Sequence, residues 1–137
     1  MADAKVFLVA IANVGGVWGQ CAPILEQALK RERTHDIHDV LGSILTQRSQ
    51  LWIIWTDRVE AAAVTEFVNY PKGIWLRAWL AGARKDAEVD WPKWREVVSD
   101  WALANGCKEL EVVGRMGWLR VFPDSHVDAV VMRAPLK

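Results

Sequence analysis

Residues 51–80 read LWIIWTDRVEAAAVTEFVNYPKGIWLRAWL, and the spacing of apolar runs and turn residues in this stretch decides the fold. Residues 51–55 are apolar at successive positions, as expected of a strand buried on both faces. Asp57 and Arg58 mark a turn. Residues 60–68 form a second strand-like run, ended by Asn69, Tyr70 and Pro71, and Gly73 opens a third run over 74–80. Connections this short join antiparallel neighbours, so the stretch predicts a three-strand meander.

Working upstream, residues 5–12 are rich in β-branched and apolar side chains and predict a buried strand broken by Gly15 and Gly16. From about Trp18 the pattern turns helical, with Ile24, Leu25, Ala28 and Leu29 on one face. A second helix is expected from about Asp36 to Thr46, striped by Ile37, Val40, Leu41, Ile44 and Leu45, with Thr34 or Asp36 as its cap. Downstream, residues 81–86 read as a loop. Asp90 and Pro92 then start a helix whose buried stripe is Trp94, Val97, Val98 and Trp101, and Gly106 suits its end. A strand over 107–113, one or two helical turns over 115–122 and a last strand over 127–132 complete a mixed α/β sandwich. The expectation is a single domain over 1–137.

Composition narrows the function classes. The 137 residues are 52% hydrophobic and 25% charged with a formal net charge of zero, an ordinary folded composition with no basic excess for nucleic acid or an anionic membrane. The apolar run near the start is far below the ~20 residues a membrane span needs. Cys21 and Cys107 are far apart and in no CxxC pattern, which favours a reducing compartment over a disulfide. The nine tryptophans are too many to bury fully in a small core, so some are expected on a contact surface or in a cleft.

Several stretches carry a resemblance. Residues 64–71 read VTEFVNYP, 101–107 WALANGC and 114–123 GRMGWLRVFP. With the element order, they resemble small GNAT-like proteins encoded by tailed bacteriophages, and the order itself resembles the GNAT acyltransferase fold. The resemblance implies a mostly antiparallel central sheet flanked by helices. It also implies a virion or host-cytoplasm location, with other phage proteins or further copies of the chain as partners.

Enzymes of the GNAT fold hold the pyrophosphate of acetyl-CoA on backbone N–H groups at the start of the helix after the meander, with a Gln/Arg-x-x-Gly-x-Gly/Ala signature. Gly82, Ala83, Arg84 and Lys85 stand in that place, but Trp79 occupies the Gln/Arg position. The physics of such a site is close backbone approach and a helix N-terminus facing an anion. The alternative is a plain surface loop. Active members also often carry a tyrosine in the helix after the fifth strand; here the one tyrosine is Tyr70, far from that helix.

Glu66 is the candidate general base for an acceptor amine. Its alternative role is a structural partner for Arg77, Arg115 or Arg120. Arg115, Trp118 and Arg120 are read either as an anion site with a cation–π shelf or as a latch and contact surface. His35 and His38 lack a third ligand nearby in sequence, so no metal is expected. The favoured expectation is a non-catalytic structural component without a cofactor. The alternative is an acetyl-CoA-dependent N-acetyltransferase acting on a host protein or small amine.

Overall fold

The meander sits at the centre of a five-stranded sheet. The computed structural model describes residues 3–136. Its strands are β1 (Lys5–Leu8), β2 (Gln50–Trp55), β3 (Val59–Tyr70), β4 (Gly73–Ala83) and β5 (Cys107–Val112), and they lie in that order across the sheet. All neighbours are antiparallel except β4 and β5, which are parallel. Helices α1 (Ile11–Leu29) and α2 (Ile37–Leu45) cover one face, and α3 (Trp91–Ala104) covers the other. A short 3-10 helix, Met116–Arg120, follows β5.

The alternation of β2 feeds two cores. Leu51 and Ile53 pack under α1 and α2, whereas Trp52 and Ile54 pack under α3. Ala63 and Ala61 lie opposite Trp52 and Ile54 in the register, so the bulky side chains of β2 face small ones on β3. Trp52 is buried, and its Nε1 donates to Thr65 Oγ1 at 2.9 Å. The Thr65 hydroxyl donates in turn to Gln50 Oε1 at 2.8 Å, so the polar groups of Trp52 and Thr65 both have partners.

The extents and caps read for α2 and α3 agree with the structure, but Leu45 of the expected α2 stripe is exposed and Val97 and Trp101 of the expected α3 stripe are half-buried. Asp36 and Asp39 form a reciprocal capping box, each backbone N–H to carboxylate bond being 2.9 Å. Asp90 caps α3 by accepting from the Lys93 N–H at 3.0 Å, and Trp94, Val98 and Ala102 form its buried face.

Three expectations are corrected. The first strand ends at Leu8, and α1 begins at Ile11 and runs through Gly15 and Gly16. The glycines do not break it because Val14, Cys21, Ile24 and Leu25 make one continuous buried face, while Gly15, Gly16 and Gly19 lie on the exposed side. Next, Ala81, Gly82 and Ala83 are not loop but the end of β4, paired with Ala63, Ala62 and Ala61. Gly82 faces α1 there, and its missing Cβ lets Ile24 lie close over the strand. Finally, residues 127–132 form no strand; Val127, Val130, Val131 and Met132 are exposed, unpaired with any sheet edge among the described residues. No helix of the described residues is long and apolar enough to cross a membrane.

Candidate functional site

A β-bulge and a parting of strands shape the middle of the sheet. Val64 pairs with Leu80 and Thr65 with Ala78, which leaves Trp79 of β4 without a partner on β3. The parallel β4–β5 pairing runs from Ile74 and Cys107 to Ala78 and Val112, and the Val113 N–H closes it on Ala78 O at 3.1 Å. Beyond Ala78, β4 continues to Ala83 without β5 beside it. The two strands therefore part at the bulge.

Beside the parting, a broad open cleft runs along β5 from the α1–α2 side of the sheet round to the end of α3. Its floor is a charged network. Glu111 of β5 accepts from Tyr70 Oη at 2.6 Å and from Arg77 Nε at 2.6 Å. Arg77 also reaches Glu66 Oε1 at 3.3 Å. Beside this network Trp75 Nε1 donates to Glu109 at 3.0 Å, and the Trp79 ring meets the His35 ring edge-on at 4.8 Å. Of the cations read as partners for Glu66, Arg77 is the one it pairs with; Arg115 and Arg120 do not pair with it.

Tyr70 is tied to this network by its pKa. Its hydroxyl donates to the Glu111 carboxylate, and a phenolate would face that charge, so the phenol titrates above its usual range. Because Tyr70 is the one tyrosine, ultraviolet absorbance reads it alone. A spectrophotometric titration should give a midpoint above the ordinary value of about 10, and Glu111→Gln should bring it down. An unchanged midpoint in that variant would mean that the 2.6 Å contact does not persist in solution.

The residues proposed for a pyrophosphate are placed differently. Gly82 and Ala83 lie within β4, and a Cβ on Gly82 would sit 3.0 Å from Ile24 O. The Arg84 guanidinium turns inward, donating to Val59 O at 2.6 Å and to Gln20 Oε1 at 3.3 Å. Lys85 is exposed. Asp86 pairs with Arg58 at 3.0 Å, and Asp90 takes the Lys93 N–H at the start of α3. These four residues do not form a glycine turn ahead of that helix.

The segment after β5 packs against α3 through Trp118. Its ring packs edge-on against Trp91 of α3 at 5.1 Å, and Trp91 packs on Trp94 at 5.7 Å, in a cluster that includes Ala81 and Val112. Gly114 is required there, because a Cβ would fall 2.8 Å from Trp118 Cδ1. Arg115 and Arg120 are exposed and make no ion pair or cation–π contact with Trp118 among the described residues. The cation over an aromatic ring in this region is Arg95, 5.1 Å from the Phe122 centroid.

No group of three His, Cys, Asp or Glu side chains among the described residues is arranged for a metal. Burial pushes the Cys21 thiol up to about 11 and raises Cys107 as well, so neither is a ready thiolate. Sequence reasoning missed the Tyr70–Glu111–Arg77 network. The Glu66–Arg77 contact follows from the β3–β4 register, whereas Glu111 enters through a parallel pairing that no turn residue announces.

Together the element order, the bulge and the parallel β4–β5 pair define a GNAT acyltransferase fold. Solved structures align with nearly the whole chain. One is an aminoglycoside acetyltransferase from an uncultured soil metagenomic sample in complex with sisomicin, at TM-score 0.75 and 9% identity over 98% of this chain and 97% of that one. Another is a ribosomal-protein-alanine N-acetyltransferase from Brucella melitensis biovar Abortus 2308, at TM-score 0.71 and 10% identity over 97% and 100% of the two chains. A third is a predicted acetyltransferase with acetyl-CoA from Clostridium acetobutylicum, at TM-score 0.71 and 11% identity over 96% of each chain. At such identities the likeness is one of fold. No protein-family model matches the sequence, and no curated protein sequence matches it.

Proposed function

We propose that the chain is a GNAT-fold protein that does not transfer acetyl groups and works through protein–protein contacts, as a virion, tail or assembly-associated component of a tailed bacteriophage. The observation that carries the non-catalytic part is the Trp91–Trp118 contact, 5.1 Å between rings, joining the start of α3 to the segment after β5. A thioester arm entering between β4 and β5 from that side would have to displace both indoles. Charge acts in the same direction. The Asp90 carboxylate already occupies an N–H at the start of α3, where a pyrophosphate needs free donors and no competing anion. The phage setting rests on the sequence resemblance carried by VTEFVNYP at 64–71 and GRMGWLR at 114–120. Exposed Leu103, Val113 and Met116 supply apolar contact surface near this segment.

One observation favours the second reading, an acetyl-CoA-dependent N-acetyltransferase acting on a host protein or small amine. The Tyr70–Glu111–Arg77–Glu66 network lines the cleft beside the bulge, so proton-transfer groups lie where β4 and β5 part. In that reading Glu66 is the base, and backbone groups of β4 hold the cofactor. Calorimetric titration with acetyl-CoA separates the two. The non-catalytic reading expects no heat at millimolar cofactor, and Trp118→Ala, which empties the slot, is the variant in which binding would first emerge. Micromolar binding to the unaltered protein would overturn that reading in favour of the enzyme.

A further inference from the structure

Residues 124–133 cross the mouth of the cleft with an ion pair at each end. At the near end Arg95 of α3 grips Asp124 through two bonds of 2.6 and 2.7 Å. At the far end Arg133 meets Glu32, between α1 and α2, at 3.7 Å. Between them His126 and Asp128 pair with each other at 2.8 Å. Among the described residues, no backbone hydrogen bond ties 126–136 to another element. Val127, Val130, Val131 and Met132 are 51%, 70%, 75% and 87% exposed. Yet residues 126–131 and Arg133 line the same cleft as Glu66, Arg77 and Trp79.

The two ends are unequal. The Asp124 contact is a bidentate guanidinium–carboxylate pair, the stronger geometry. The Arg133 contact is single and long, and exposed pairs of that kind hold weakly. Its carboxylate is nonetheless set in place, because Thr34 Oγ1 donates to Glu32 Oε1 at 2.7 Å. The stretch from 124 to 133 can reach at most about 30 Å when extended, and its ends meet Arg95 on α3 and Glu32 beyond α1. We infer that residues 124–133 are a strap that closes the cleft, hinged at Asp124 and released when the Arg133–Glu32 pair breaks. Release uncovers the Tyr70–Glu111–Arg77 floor. This holds whichever of the two functions the cleft serves.

Distance measurements between spin labels test the strap directly. Labels go at Met132→Cys and His38→Cys, both exposed positions, one on the strap and one on the cleft rim. The native thiols of Cys21 and Cys107 are buried and are not labelled. The expected result is one narrow, short distance population. Arg133→Glu should raise the long-distance fraction about two- to fivefold, the range a weak surface pair allows. The charge-reversed pair, Glu32→Arg with Arg133→Glu, should restore the short population. A broad distribution before any charge change overturns the strap, as does an Arg133→Glu variant whose distances do not move.

Discussion

Trp94→Ala should lower the unfolding free energy by about 3–5 kcal/mol, whereas Trp94→Phe should stay within about 1 kcal/mol of the parent. The ring is 1% exposed and lies under Trp91 in the core shared by α3 and the sheet. Alanine removes its contacts and leaves a cavity that surrounding strands cannot fill. Phenylalanine keeps most of the volume and removes a liability. Trp94 Nε1 is buried and has no hydrogen-bond partner among the described residues. Such an orphan donor costs roughly 1–3 kcal/mol, which offsets the smaller ring's lost contact area. Urea denaturation of the two variants checks this. If phenylalanine proves as damaging as alanine, the indole N–H has a partner in solution and the explanation fails.

Gly82→Ala should cost about 1–3 kcal/mol, as overpacking in a dense core does. The added Cβ would meet Ile24 O at 3.0 Å and Ile24 Cγ2 at 3.2 Å. The first of these is backbone, so α1 must shift as a body rather than a side chain turning aside. Thermal unfolding with and without the substitution gives the answer, and a neutral result would mean that α1 rides higher over β4 than described. The same contact makes larger residues at 82 poor probes of cofactor binding. They lift α1 whether or not any cofactor binds nearby.

The meander, α2 and α3 were legible because local chemistry specifies them. Asp57 and Arg58, then Pro71 to Gly73, punctuate the strands, and Asp36 and Asp90 cap the helices. Three features were not legible, two because a distant contact overrides a local signal and one because a local signal found no partner. Gly15 and Gly16 read as a break, but the apolar face from Val14 to Leu25 carries the helix across them. Gly82 reads as a loop glycine, but it is a clearance beneath α1. Residues 127–132 have strand composition and no strand, since composition alone supplies no edge to pair with. At the site, the pairing of Glu66 with Arg77 was among the readings, but Glu111 and its bond to Tyr70 were not. Arg77 faces Glu66 across β3–β4, while Glu111 arrives from a parallel strand after a whole helix. Arg115 and Arg120 looked like ligand groups because they flank Trp118 in sequence, yet the ring turns to Trp91 and leaves both in solvent.

Helix α1 contains Gly15, Gly16, Gly19 and Pro23. Relative to alanine, three glycines and a proline cost an isolated helix about 6 kcal/mol, and the ring at Pro23 removes the N–H that Gly19 C=O would accept. Such a segment has no helical state of its own to fall back on. Its order is borrowed from β3 and β4, the strands it packs on, and β4 ends only at Ala83. During synthesis the ribosome therefore releases this segment long before anything can hold it. It waits as coil through the making of α2 and the whole meander, with Val14, Leu25 and Leu29 exposed. The first helix in the chain can be held only once β4 has been made, and until then its apolar face is open to aggregation or to a chaperone.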